Sequence, residues 1–296
     1  MILLDQVAQT RNPVRIVDAT GERVMPGAAD SAAAARACAL RLVLDANAAR
    51  VCADLANDPG VMTPDNRLVR MPASTFWLEW AEPDGLRTGL LVEADEGGRR
   101  GQMETFWERE IGEPDRAQAR VLFDLDAPLA PSHDRPDFVL YPGEHALARH
   151  LLFRIDPRWA AHFTLDGFDA LRSAAAHVAA SVTPGIGMLC ALTSLLSTRA
   201  ALTTDAVDRA RLNRERARRG RAPLLDHVHV RLDLSGDARA NADAAYVGAR
   251  GAARLHHVRG HFVQRNGGLF WRRPHLRGAI GATPLRRTVL VTHARA

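Results

Sequence analysis

Residues 74–95 read STFWLEWAEPDGLRTGLLVEAD, and they decide the fold. Two runs rich in Phe, Trp, Leu and Val flank Pro83-Asp84-Gly85. That tripeptide favours a tight turn, because Pro pre-sets φ and Gly accepts the positive φ that a turn often needs. Phe76, Leu78 and Trp80 alternate with Trp77 and Glu79, the period of two expected of a strand. The segment predicts a β-hairpin. QMETFWERE at 102–110 and QARVLFDLD at 118–126 repeat the pattern, and DFVLYP at 137–142 offers another strand. Residues 68–141 thus predict an antiparallel sheet of four or five strands. Glu79, Glu93, Glu104 and Glu108 lie along it. Clustered carboxylates of this kind serve metal-dependent nucleases. Alternating acids are more often the wet face of a half-exposed sheet, and that is the expectation.

Outward from the sheet the pattern turns helical. Asp30-Ser31 opens an alanine-rich stretch with Leu40, Val43, Leu44, Val51 and Leu55 at helical spacing, which predicts one helix over about 30–55, stopped by Pro59-Gly60. Residues 143–204 also read as helices. GEHALARHLLFRI at 143–155 puts apolar residues at 147, 151, 152 and 155, and Phe168, Leu171, Ala175 and Val178 form a second stripe. Pro157 and the run Thr183-Pro184-Gly185-Ile186-Gly187 are predicted breaks. MLCALTSLLSTRAAL at 188–202 is apolar nearly all round, as a central buried helix is. The fold class is therefore α+β, an antiparallel sheet packed by helices. Cys38, Cys52 and Cys190 stand far apart in apolar surroundings and read as buried free thiols of a reducing, cytoplasmic compartment. The N-terminus has no basic start followed by an apolar core, so no signal peptide is expected, and no membrane partner is expected either.

The last third is different. Asp205 reads as the cap of a helix ending near Gly220, whose turns carry Arg211, Arg214, Arg216, Arg218, Arg219 and Arg221. Some of these cations complement the helix dipole. So dense a run exceeds that need and can track a phosphate backbone. HVHVRLDL at 227–234 predicts a strand, and 235–253 a loop or weak helix. Then comes RLHHVRGHFVQRNGGLFWRRPHLRG at 254–278, with Asn266-Gly267 between apolar-studded runs, a strong hairpin signal. Alternation sets His257, Arg259 and His261 on one face, with Val258 and Phe262 on the other, while Gly260 suggests a bulge and Pro274 an edge. TPLRRTVLVT at 283–292 predicts a final strand. The hairpin reads either as a surface that grips phosphates or carboxylates, with Trp271 available for stacking, or as a solvated polar face.

Charge sharpens the contrast. No lysine occurs, so all 39 basic residues are arginine. From Asp205 onward there are 19 Arg against 7 Asp and Glu, and before it 20 against 27. An acidic body over 1–204 and a basic region over 205–296, within one domain or two, is the footprint of a chain that meets a polyanion through one end. The candidate contact residues are Arg214, Arg218, Arg219, Arg254, His257, Arg259, His261, Arg265, Trp271, Arg272, Arg273, His275 and Arg277. His257, His261 and His275, or His227 and His229, are conceivable metal ligands. No CxxC or HExxH spacing supports them, and the expectation is no metal and no cofactor. The Gly185-x-Gly187 pair follows no clear strand, so it is no dinucleotide fingerprint. Ser194 and Ser197 lack a Gly-x-Ser-x-Gly context and mark no nucleophile.

The succession RLNRERARRGRAPLLDHVHVRL, ARLHHVRGHF, LFWRRPHLRG resembles a group of phage and prophage proteins in order and spacing. More distantly, HHVRGHF followed by FWRRP resembles the C-terminal region of a plasmid- and phage-borne family. Some of its members are anti-CRISPR proteins that lower production of a type V CRISPR nuclease. His257, Arg259, His261, Phe262, Trp271 and Pro274 match that family's His-Arg-His-aromatic run and its later Trp and Pro, over roughly the last 90 residues. The resemblance implies a mobile-element origin and importance for this region. The leading expectation is a phage or prophage accessory protein that binds nucleic acid, DNA or RNA, or a host nucleoprotein. The alternatives are an inhibitor or adaptor docking on an acidic host protein, and a metal-dependent hydrolase. A non-enzymatic role is favoured over an enzymatic one.

Overall fold

The turn at Pro83-Asp84-Gly85 closes as its residues require. Strand β4 (Thr75–Ala81) pairs antiparallel with β5 (Arg87–Ala94), Gly85 takes φ 88°, and Asp84 accepts the Leu86 N–H at 3.0 Å. A computed structural model describes the chain apart from residues 19–20, 131–137, 141–144, 165–167, 199–201, 233–255, 259–260, 266–267, 273–274 and 278–296. The chain forms two compact units, Met1–Ser197 with Leu202–Leu232, and Thr198–Ala201 with Asp233–Ala296.

In the first unit a hairpin of β1 (Val14–Asp18) and β2 (Gly21–Met25) stands apart from a nine-stranded sheet. The sheet adds β3 (Leu40–Leu44), β6 (Arg100–Glu110), β7 (Glu113–Asp124), β8 (Phe138–Leu140), β9 (Leu151–Ile155), β10 (Leu202–Val207) and β11 (His227–Leu232), in the order β10-β11-β3-β4-β5-β6-β7-β9-β8. Five of these strands meet the sequence expectation for 68–141. The pairs β11–β3 and β3–β4 are parallel and the others antiparallel, so the architecture is α+β on a mixed sheet.

Helices cover both faces. Leu91 lies on the side of α1 (Leu3–Gln9), where Leu3, Leu4 and Val7 pack against Trp77 and Phe106, whose rings sit 5.2 Å apart. Leu90, one residue earlier, points the opposite way toward the long helix α5 (Phe168–Leu196). A side chain at Gly187 of α5 would lie 2.7 Å from the Ala56 Cβ, so only glycine lets α5 approach α3 (Ala46–Leu55) this closely. The thiols of Cys38, Cys52 and Cys190 are free and buried, and burial pushes the last two up to about 12.

Four expectations are corrected. The stretch 30–55 is not one helix. A 3-10 turn (Ala28–Ser31) and α2 (Ala32–Ala37) lead into strand β3, and α3 starts only after Asp45, whose carboxylate takes the Ala48 N–H at 2.7 Å. LRLVL lies between two parallel neighbours with Leu42, Val43 and Leu44 buried, and such strands read as continuous apolar runs that also fit a helix. Likewise the helix expected over 143–155 gives way to a 3-10 turn (Ala146–His150) followed by β9, because Leu151–Ile155 completes a ladder with β7. The break at Pro184 does not occur, since α5 runs through it. Proline removes one helical N–H, but the carbonyl four residues back belongs to exposed Ala180, and the downstream half is deeply buried. Over Ser173–Leu196 this helix is also long and apolar enough to cross a membrane by length and composition, and 72% of that window is buried inside the fold. Finally, Asp205 is not a helix cap but lies inside β10.

Helix α4 (Pro157–Thr164) completes the first unit together with α6 (Ala210–Arg218). In the second unit, strands β12 (His256–Val258), β13 (His261–Arg265), β14 (Gly268–Arg272) and β15 (His275–Arg277) are described by their backbone pairing. β12 pairs with β15 and β13 with β14, both antiparallel and in one common register, with His261 opposite Arg272 and Val258 opposite His275.

Candidate nucleic-acid interface

Helix α6 begins where two carboxylates take its first free amide groups. Asp226 accepts the Arg209 N–H and Asp208 the Ala210 N–H, each at 2.7 Å. Capping of this kind satisfies donors that have no helical partner. The helix ends in a Schellman turn. The Gly220 N–H donates to the Ala217 carbonyl at 3.0 Å and the Arg221 N–H to the Arg216 carbonyl at 2.9 Å, with Gly220 at φ 64°. Between its ends the helix buries nothing. It is held instead by Asn213, whose amide donates to the Leu224 carbonyl and accepts the Leu224 N–H, both at 2.8 Å.

That clasp fixes which way each arginine faces. Arg209 and Arg216 turn toward the returning chain, and the Arg216 Nε–H donates to the Ala222 carbonyl at 2.8 Å. Arg211, Arg214, Arg218, Arg219 and Arg221 are exposed, and among the described residues none of their side chains meets a carboxylate or any other polar partner. Arg211, Arg214 and Arg218 are spaced three and four residues apart, so they share one helical face. Like charges at such spacings oppose helix formation by roughly 0.2–0.5 kcal/mol per pair. Glu215, four residues after Arg211 and three before Arg218, shares that face but forms no ion pair with them among the described residues, so the face keeps a net positive charge.

Of the predicted contact residues, Arg214 and Arg218 share this face and Arg219 is exposed at its C-terminal end, and Arg211 on the face and Arg221 in the terminal turn join them. Their spacing was readable in the sequence, but the inward turn of Arg209 and Arg216 depends on Asn213 and Asp226, which no pattern marked. His257, His261, Arg265, Trp271, Arg272, His275 and Arg277 lie on the paired strands of the second unit, where only the backbone is described; Arg254, Arg259 and Arg273 lie outside the described residues, as does the predicted strand 283–292.

The acids of the sheet do not form a wet face. Glu79, Glu104 and Glu108 are buried, because α1 and the segment leading into α2 cover them. Glu79 is fully buried and accepts the Leu3 and Leu4 N–H groups at 2.9 and 3.0 Å, the Trp77 indole N–H at 3.1 Å and Arg87 at 2.8 Å. Burial pushes its carboxyl above the usual range, against the pull of those donors. Glu104 meets the Ser31 hydroxyl, Arg120 at 2.5 Å and Arg116 at 3.6 Å, and Glu108 accepts from Gln6. Glu93 accepts from Gln102 at 2.5 Å. Glu79, Glu104 and Glu108 thus tie the covering segments to the sheet, while Glu93 bonds across the β5–β6 ladder, and among the described residues no cluster of three or more His, Cys, Asp or Glu fit to hold a metal occurs.

Compared with known protein families, with curated proteins and with solved structures, the chain matches none.

Proposed function

We propose that this protein is an accessory protein of a phage or related mobile element that binds nucleic acid through its basic C-terminal region, with α6 and its terminal turn as one contact surface. The observation that carries the reading is the set of five exposed arginines at 211, 214, 218, 219 and 221 with no carboxylate partner among the described residues. A guanidinium binds a phosphate through a planar pair of donors, and release of condensed counterions drives the contact. The likeness of residues 257–274 to the phage- and plasmid-borne family supports the mobile-element origin.

The test is binding of a labelled duplex DNA and a labelled single-stranded RNA over a salt series. Affinity should fall with salt at about 0.9 log units per log unit for each duplex phosphate contacted, and about 0.7 for a single strand. Arg211→Glu/Arg214→Glu/Arg218→Glu should weaken binding of every sequence and flatten that slope by roughly two to three. Binding that ignores both salt and the triple substitution overturns the reading. Capture of an acidic host protein that survives nuclease treatment replaces it with the adaptor reading.

A further inference from the structure

His227 and His229 sit two apart on β11, so their side chains leave the same face of the sheet. Their Nε2 atoms are 3.2 Å apart, and the ring centroids are 5.0 Å apart with planes inclined by 50°. An ion about 2.1 Å from each nitrogen, the usual zinc–imidazole distance, would subtend an N–metal–N angle of roughly 100° across that gap, close to tetrahedral. Rings aimed at such an ion, each with its centroid about 1.15 Å behind the nitrogen, would hold their centroids about 5.0 Å apart. A linear N–H···N contact of the same length would hold them about 5.5 Å apart. The observed separation is that of converging rings, which suits a shared ion and, without one, a bent N–H···N bond.

The surroundings set the protonation that a ligand needs. The Nδ1 of His227 lies 3.2 Å from the Leu225 carbonyl, so Nδ1–H donates there and Nε2 keeps its lone pair. A second nitrogen fixed on a backbone carbonyl is the usual arrangement behind a metal-bound imidazole. Charges around the pair come from several elements. Arg209 and Arg231 disfavour a cation, while Asp5 of α1, Asp226 and Asp205 of β10 favour one. Asp205 stands directly opposite His229 in the β10–β11 ladder.

We infer that His227 and His229 form a two-histidine chelate for a divalent first-row transition metal, with zinc, copper or nickel suited to imidazole. Among the described residues no third ligand completes the set, so solvent or a ligand oxygen fills the remaining positions. Without metal the two rings share a hydrogen bond in which His229 Nε2–H donates to His227. Metal binding moves that proton to His229 Nδ1, and no oxidant or other reactant is needed. This inference is independent of the nucleic-acid reading.

The test is titration of the chelator-stripped full-length chain with Zn²⁺ by calorimetry, and with Co²⁺ by visible absorption. One equivalent should bind, and His229→Gln, which keeps a donor for His227, should weaken that binding at least about tenfold. His177→Gln, on an exposed position of α5, should leave it unchanged. If His229→Gln fails to fold, nitrogen NMR of the wild-type imidazoles decides. Zn²⁺ should shift the Nε2 resonances of His227 and His229 together. No stoichiometric binding, binding indifferent to His229→Gln, or shifts confined to other histidines each overturn the inference.

Discussion

Arg116 and Arg214 carry the same guanidinium and meet opposite circumstances. Arg116 is only 3% exposed and lies within 3.4–3.8 Å of Asp156, Glu104 and Asp30. Nearby, Arg158 bridges Asp30 at 2.9 Å and Asp156 at 3.2 Å. Arg99 binds Asp126 at 2.6 Å and three further backbone carbonyls within 3.1 Å. Arg214 is exposed on a helix that buries nothing and has no such partner among the described residues. In a chain without lysine, abundance of arginine says little about function. What separates the two regions is whether carboxylates lie within reach. In the body they do, and the arginines join layers of the fold. On α6 the exposed arginines form no such pair among the described residues, with Glu215 of the same helix included, and the charge remains available.

The largest effect should come from breaking the first half of this contrast. Arg116→Met removes the cation shared by three carboxylates, one of them buried Glu104, and should cost about 3–5 kcal/mol in urea denaturation. A loss below about 1 kcal/mol would mean that the body arginines are as dispensable as those of α6. Next, Gly220→Ala forces a side chain into the left-handed region and should cost about 1–2 kcal/mol. That loss should be felt locally, as faster amide exchange at residues 217–221; unchanged exchange would show that the Schellman turn does not hold α6.

A smaller effect concerns pH. Burial depresses the folded-state pKa of His227 and His229, so the unfolded chain binds more protons below its own histidine pKa. The stability they contribute is full above about pH 6.5 and is lost as pH falls through the depressed folded values. The melting temperature should therefore drop on acidification from pH 7 in the wild type, and less so in His227→Gln/His229→Gln. Equal drops in both would assign the effect to other groups. The smallest change is expected at Arg211→Ala, which relieves repulsion from Arg214 and should alter stability by no more than about 0.5 kcal/mol. A larger loss would reveal a partner for Arg211 and weaken the contrast from its other side.

The legible parts of this chain are those whose cause is local. The β4–β5 hairpin follows from Pro83-Asp84-Gly85 between alternating runs. The buried helical character of 188–196 follows from its composition, though not its continuity through Pro184, and the arginine-dense face follows from spacing alone. The misread parts are those decided by neighbours. Leu40–Leu44 fits helical spacing as well as a strand, and only its place between β11 and β4 selects the strand. The carboxylates were read as solvated because the sequence does not reveal that α1 returns over them.

By itself, then, the amino-acid sequence determined that the chain holds a sheet with packed helices, and that its positive charge gathers late. Tertiary structure alone decided which charges are neutralised and which histidines meet. Glu79 caps α1 across 76 residues and Asp5 holds Leu225 across 220. Contacts at such separations leave no local periodicity, because burial and charge pairing depend on what the folded chain brings alongside, not on what precedes or follows a residue.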